Sequence, residues 1–479
     1  MKFNRIFFIL IAAIVTNGVF AGNEPSYKYK FKIKGAEDTT IFLANYFGAK
    51  LYYTDTARSD KKGYFEFTGK KMLDQGKYAV VVPGPKYFEI FVADNEEIEM
   101  ETDTADFVKY MKVIKSENNK LFYDYIKYIT DKKDLVGTIN KEIAALGSDS
   151  TKANEVKTKL VNINNEVESY QQNLLKVHES KFVSKDLKMS IDVAVLPAPE
   201  TIVGDKNIKD YQYYWYKNHY WDNVDLKDSR IVRTPIFHKK LDTYFNKLLI
   251  QIPDTINAAS DKLIDQVKYS DELFKYVVHF VTYNFETSKI MGMDAVFVHM
   301  AEKYYMTKQV TWLDSAKLAN VAERCMEIKP TLIGNKAPYL KLLDYEDKNW
   351  VNLYDLKSDI TIMYFWDQDC GHCKKETPKL KELYEKYKTE GKNIEVYAVG
   401  VSGERDKWKA YLKDQDFLDW INVSDTPEQR SPFRTMYDTQ TTPRVFILDK
   451  DKKIVAKQIG VEQIDEFITR MLDKDKKVN

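Results

Sequence analysis

The sequence predicts a multidomain chain with an N-terminal all-β sandwich, a central all-α region and a C-terminal α/β fold. Three observations predict it. Apolar and polar residues alternate with period two through Ser26–Thr102, helical stripes run through Ala105–Glu327, and from Thr331 apolar strands alternate with helical stretches. At 479 residues the chain is too long for one compact core. The expected divisions are 1–21, 22–104, 105–330 and 331–479.

The first 21 residues read as a secretory signal peptide. Lys2 and Arg5 give a positive start, Phe7–Val15 a short apolar run, and Val19-Phe20-Ala21 small residues for cleavage. The alternative is an uncleaved membrane anchor, for which the apolar run is short. No other segment reaches spanning length, so no membrane span is expected after cleavage. Secretion across an inner membrane into the periplasm is the expected destination.

In the β region, Tyr27, Tyr29, Phe31 and Ile33 alternate with Lys28, Lys30, Lys32 and Lys34, the signature of a half-buried strand. Six further strands are expected at Ile41–Ala44, Leu51–Thr54, Tyr64–Thr68, Tyr78–Val82, Phe88–Val92 and Ile98–Thr102. Lys62-Gly63, Gln75-Gly76, Pro83-Gly84-Pro85 and Asp94-Asn95 supply turns between them. Seven short strands at this spacing predict a small antiparallel sandwich or barrel.

The helical region opens with a seam. Val156, Leu160, Ile163, Val167, Tyr170, Leu174 and Val177 recur at alternating spacings of four and three. Phe107–Ile129 is the expected antiparallel partner, and Pro197-Ala198-Pro199 ends the unit. Later helices are expected near Tyr211–His219, Phe237–Leu249, Ser260–Val267, Asp271–Phe285, Ile290–Tyr305 and Ser315–Glu327. The aromatic cluster Tyr211–Trp221 reads as helix packing rather than a ligand cage.

In the last region, strands are expected at Ile360–Phe365, Ile394–Val401 and Val445–Leu448. A turn at Asp449–Lys453 leads to Ile454–Gln458, and Val461–Leu472 closes as a helix.

Charge is balanced, with Lys+Arg 73 against Asp+Glu 72, and no basic stripe with interleaved aromatics argues for nucleic acid. There are only three cysteines, Cys325, Cys370 and Cys373. A secreted chain of this size with so few is not held together by disulfides. The close pair therefore reads as reactive, and Cys325, inside a helical pattern, as a small buried apolar residue.

Cys370 and Cys373 stand where the apolar run Thr361–Trp366 ends and an amphipathic helix begins. Two thiols two residues apart at a helix start can close and reopen a disulfide ring. The unpaired N–H groups and partial positive charge of a helix N-terminus favour the thiolate of Cys370. A protonated His372 pushes the same way, while Asp367 and Asp369 oppose it. Cys373, one turn in, fits the resolving thiol. No second ligand pair stands nearby to close a zinc site. Lys374 stands where haem attachment requires histidine. No metal and no organic cofactor are expected.

The C-terminal region resembles the thioredoxin-like superfamily, and within it the extracytoplasmic TlpA/ResA-type thiol–disulfide oxidoreductases. Several positions carry the resemblance. They are Ala337-Pro338 followed by Leu340 and Leu342, the pair Phe365-Trp366, Cys370-Gly371-His372-Cys373, Glu376, Pro378 and Thr442-Pro443. The resemblance implies a thioredoxin-like fold, with Cys370 attacking, Cys373 resolving and Glu376 moving a proton. It also implies a client-binding surface that includes Trp366, His372, Thr442 and a cis Pro443. The upstream regions resemble the β and helical domains that precede such modules in bacterial envelope proteins. One position departs: Tyr364 stands where thioredoxin has a buried aspartate. Glu376 is the expected substitute, its pKa raised by desolvation.

The implied partners are client proteins bearing disulfides or thiols and an unidentified redox partner. The Gly-His dipeptide resembles motifs near about −180 mV against about −270 mV for thioredoxin, a difference of roughly 4 kcal/mol for two electrons. TlpA/ResA-like proteins act as reductants, so the reading leans to reductase or isomerase. The competing reading is an envelope binding or scaffold protein whose thioredoxin-like domain is a docking module.

Overall fold

A computed structural model describes residues 25–84, 86–145, 150–426 and 430–478. The expected signal peptide lies outside the described residues. Among these residues no helix is long and apolar enough to cross a membrane. The chain divides into two compact units. Among the described residues, one holds those of 25–195 with 219–225 and 230–239; the other holds 196–218, 226–229 and those of 240–478.

In the first unit the alternating segments form β1 (Tyr27–Lys34), β2 (Thr40–Phe47), β3 (Lys50–Arg58), β4 (Tyr64–Gly69), β5 (Gly76–Val82), β6 (Lys86–Val92), β7 (Ile98–Asp103) and β8 (Lys112–Lys115). They make two four-stranded sheets, ordered β4-β1-β7-β8 and β3-β2-β5-β6. Tyr27, Tyr29, Phe31 and Ile33 point inward and the intervening lysines outward. Phe31 of one sheet meets Phe88 of the other at 6.2 Å, so the apolar faces stack as a sandwich. Two features differ from expectation. The sandwich is not wholly antiparallel, because β1 and β7 run parallel. An eighth strand, β8, also occupies part of the stretch predicted to be helical and pairs with β7. Its four residues are too few to display a period.

The seam belongs to a helical hairpin of α1 (Glu117–Ala145) and α2 (Ser150–Val177). Ile139, Val156 and Ile163 are buried together, flanked by Val136, Ile143, Leu160 and Val167. Tyr128 stacks on Tyr170 at 4.1 Å. The partner of the seam is thus Glu117–Ala145 rather than Phe107–Ile129. The chain before Glu117 is committed to turns and β8, so the helix starts later and runs further. A short helix absent from the sequence reading, α3 (Phe182–Ser190), follows.

Next come α4 (Asp205–His219), α5 (Pro235–Thr243), α6 (Pro253–Val267), α7 (Asp271–Glu286), α8 (Asp294–Met300) and α9 (Ser315–Ile328). Single π turns extend α5 and α8. The Ser270 hydroxyl accepts from the Leu273 N–H to start α7, and the Asp314 carboxylate accepts from the Lys317 N–H to start α9.

The C-terminal region supplies β9 (Lys341–Asp344), β10 (Trp350–Asn352), β11 (Ile360–Trp366), α10 (Gly371–Thr389), β12 (Ile394–Gly400), α11 (Arg405–Asp414), β13 (Ile421–Ser424), α12 (Phe433–Met436), β14 (Arg444–Leu448), β15 (Ile454–Lys457) and α13 (Val461–Val478). Their sheet is ordered β10-β9-β13-β12-β11-β14-β15. All of β11 is buried, since helices cover both faces of the sheet. Ile360, Ile362, Tyr364 and Trp366 pack with Cys373, Leu380 and Tyr387 of α10 and with Ile464 and Ile468 of α13. Met363 and Phe365 point the other way, towards Leu353, Phe433 and Tyr437. Burying a side chain of this size fully contributes about 1.5–3 kcal/mol, so this double-faced strand anchors whatever is attached to its end.

Candidate active site

The thiol motif is attached to the end of β11. After Trp366 the chain turns: the Cys370 N–H donates to the Asp367 carbonyl (3.2 Å) and the Asp369 N–H to the Asp367 carboxylate (2.7 Å). Gln368 is buried and its amide donates to Ser402 Oγ at 2.9 Å, fixing the turn to the segment after β12. Lys407 of α11 pairs with Asp369 at 2.7 Å and draws its carboxyl below the usual range.

Cys370 is the N-cap of α10, and its Sγ accepts from the Cys373 N–H at 3.4 Å. The sulfur thus fills the role that serine or aspartate plays at other helix starts. Cys370 is half-buried, whereas Cys373 is wholly buried. Both are free thiols. Burial pushes the Cys370 thiol up. Hydrogen bonds from the Thr442 side chain and the Cys373 and His372 backbone outweigh this and hold it below its ordinary value. Burial dominates at Cys373 and pushes it up to about 12. The same helix turn therefore separates an acidic, reachable thiol from a closed, weakly acidic one.

Sheet register brings a distant loop to this pair. β14 runs antiparallel to β11 with Arg444 opposite Phe365, so the residues before β14 lie beside the end of β11. The Thr442–Pro443 peptide is cis. The Cys370 thiol donates to the Thr442 carbonyl at 3.3 Å.

A thioredoxin-like family model matches residues 358–454, which include both cysteines and this loop. The thiol-disulfide oxidoreductase ResA of a Bacillus cereus strain is 32% identical over 142 residues, which is 30% of this chain and 78% of the relative. The chain belongs to the ResA-type, thioredoxin-like thiol–disulfide oxidoreductases. The ResA of Bacillus subtilis (strain 168) is 30% identical over 26% of this chain and 67% of its own length. A domain of a possible thiol-disulfide isomerase from Cytophaga hutchinsonii ATCC 33406 is 36% identical, covering 31% of this chain and 97% of that one, with a TM-score of 0.28. Residues 157–327 match a domain of unknown function, DUF5106.

In this oxidoreductase the position of the missing aspartate is filled by a neutral chain. The Tyr364 hydroxyl donates to Thr377 Oγ1 (2.9 Å), and Thr377 Oγ1 donates to the Cys373 carbonyl (2.7 Å). Burial pushes the Tyr364 hydroxyl well above its ordinary value, so it stays protonated. Glu376 lies one turn beyond Cys373. One of its carboxylate oxygens accepts from Lys379 Nζ at 2.8 Å, and the other is buried without a partner.

The sequence-derived surface set is only partly assembled. Thr442 lies against Cys370, Pro443 follows it across the cis peptide, and His372 is exposed on the first turn of α10. Trp366 is corrected: it is 1% exposed and its ring packs beside Tyr411, so it belongs to the core and presents no surface to a client. The physical reason is its parity on β11, which aims it under α10. Cys325 is buried against Phe297, Val298 and Ile328. Among the described residues no group of three or more His, Cys, Asp or Glu is placed to hold a metal ion.

The sequence reading missed Gln368, Thr377 and the loop residues Asp438 and Arg444. Arg444 carried one signal, a charge opening an otherwise apolar strand. Asp438 carried none.

Proposed function

We propose that this chain exchanges disulfides with client proteins outside the cytoplasm through its Cys-Gly-His-Cys dithiol, acting as a reductase or isomerase. The observation that carries the reading is the contrast between Cys370, half-buried with its pKa lowered, and Cys373, wholly buried with its pKa raised. A nucleophile must be ionised and reachable, and a resolving thiol must be held back until needed.

In the proposed cycle the Cys370 thiolate attacks one sulfur of a client disulfide. A Cys370–client mixed disulfide forms and a client thiolate leaves. Cys373 then loses its proton, attacks Cys370 Sγ and expels the second client thiolate. The client gains two electrons and two protons, and Cys370–Cys373 becomes the disulfide. An external dithiol donor restores the reduced pair. Glu376 is the proposed proton acceptor for Cys373. The Thr442–Pro443 loop is the proposed docking edge, because an extended client can pair with its backbone. His372 borders the same opening. The leader at 1–21, a periplasmic location and the divisions at 104 and 330 belong to this reading.

Trapping tests it. Cys373→Ser should accumulate mixed disulfides through Cys370, and mass spectrometry of the adducts should identify clients. A folded Cys373→Ser protein that captures nothing, in a chain that also fails to reduce insulin, would sink the proposal.

A further inference from the structure

The loop that meets Cys370 is braced at both ends by one carboxylate. Asp438 begins the loop, is 7% exposed and holds the left-handed backbone conformation (φ 48°) that aspartate tolerates. Arg444 ends it. Arg444 Nη2 donates to the Asp438 carboxylate at 2.6 Å, and Arg444 Nε donates to the Asp438 carbonyl at 3.0 Å. The loop is thereby tied into a ring with Thr442 and Pro443 on its rim.

The third corner of this brace lies outside the α/β region. Arg324 of α9 grips Asp438 with both arms of its guanidinium, at 2.9 and 3.1 Å, and also pairs with Glu327 at 3.0 Å. A bidentate arginine–carboxylate pair fixes direction as well as distance. A separate buried cation, Lys457 of β15, pairs with Asp294 of α8 and donates to the Thr331 carbonyl at 3.0 Å. That second link joins the helices to the sheet without a hydrogen bond to the loop, although its charges act on Arg444 and Asp438 across space. Arg324 provides a line of hydrogen bonds from α9 to Asp438 and so to Arg444, which closes the loop carrying the cis Pro443 and Thr442, and Thr442 meets the Cys370 sulfur.

We propose that Asp438 is a positioning residue for the thiol site and that Arg324, supplied by the helical region, completes it, so that this region sets how the Thr442–Pro443 loop meets Cys370 and a docked client. The inference rests on the thiol-exchange reading above. It gives the segment matching the domain of unknown function, which includes Arg324, a role at a site to which it contributes no sulfur.

The test uses the full chain. Arg324→Gln removes the fork at a side chain that is 36% exposed, so no sealed cavity results. In a Cys373→Ser background, the rate of Cys370 alkylation by iodoacetamide is followed against pH. With both cysteines present, kcat and KM are measured for insulin reduction. The sequence neighbours Asp367, Asp369 (with its partner Lys407), His372 and Glu376 are unchanged in the variant. Loss of the brace lets the Thr442 side chain, whose hydrogen bond favours the Cys370 thiolate, drift from the sulfur. The alkylation midpoint should therefore rise by about half a pH unit or more, and the insulin KM by about threefold or more, with less change in kcat. Arg324→Lys keeps the charge without the fork and should fall between the two. It serves as the readout should the glutamine variant fold poorly. Lys457→Met is the comparison, since it breaks the other link. Superimposable profiles for wild type and the Arg324 variants would overturn the inference, as would an equal shift in Lys457→Met. A wild-type chain that neither reacts at Cys370 nor reduces insulin would instead remove the exchange reading itself.

Discussion

The sulfur of Cys370 lies 3.3 Å from the carbonyl oxygen of Thr442, although 72 positions separate them in the chain. The register of two strands closes that gap. Arg444 pairs with Phe365, so the start of β14 is delivered beside the end of β11, where the thiol turn begins. A shift of one residue would reverse the faces of β14 and bury Arg444 where Val445 now packs.

The contacts at Cys370 give a first expectation. Its alkylation by iodoacetamide should reach half-maximal rate at a pH below the ordinary thiol value of 9.0, because hydrogen bonds to the sulfur outweigh its burial. Mass mapping should place the label on Cys370 and leave Cys373 unmodified in the folded protein. Equal labelling of both would contradict the burial contrast.

Cys373 makes a second expectation, about stability. Its pKa is raised from 9.0 to about 12 in the folded chain. Between those values the unfolded chain has lost the proton and the folded chain has kept it, so stability falls as pH rises. The contribution is whole below the unfolded value of 9.0 and is lost through the folded value near 12. Reduced wild-type protein should thus lose more stability between about pH 8 and about pH 10.5 than Cys373→Ser, measured by urea unfolding at each pH. Parallel curves would show that the buried thiol does not carry this dependence.

Glu376 leads to a kinetic expectation. If its unpartnered oxygen receives the Cys373 proton, Glu376→Gln should slow release of a trapped client by about 10²-fold while leaving the first attack by Cys370 unchanged. Single-turnover quenching of the mixed disulfide separates the two steps. An unchanged release rate would assign Glu376 to its pairing with Lys379 alone.

Tyr364 is expected to matter for folding more than for chemistry. Tyr364→Phe removes the donor to Thr377, and the loss of one buried hydrogen bond should cost about 1 kcal/mol in denaturant unfolding. Thr377 still donates to the Cys373 carbonyl, so exchange rates should hold. A large fall in rate with intact stability would mean that the neutral chain does handle protons.

Much of this architecture was legible because the side chains repeat. Tyr27 to Ile33 show their inner face by alternation, and Val156 to Val167 show their seam by spacing. β11 gave its existence but not its faces: every residue from Ile360 to Trp366 is buried, so parity left no mark and Trp366 was misplaced at the surface. β8 and β13 have four residues each, too short for a period. The parallel pairing of β1 with β7 depends on the path of the chain, which local pattern does not encode. At the site, the two cysteines and Thr442-Pro443 stood out as a motif. The Asp438 brace did not, since Arg324 lies 114 positions away and a lone charge on a helix looks like any other.

Cys325 has a consequence for how this enzyme survives its own chemistry. Three sulfhydryls allow three different pairings, and two of them would break the proposed Cys370–Cys373 pair. With Cys325 1% exposed behind Phe297 and Ile328, and its acidity reduced by that burial, neither a passing oxidant nor a client finds a sulfur anion there. The odd cysteine is kept out of circulation by packing, and in the proposed cycle repeated turnover has a single ring to close.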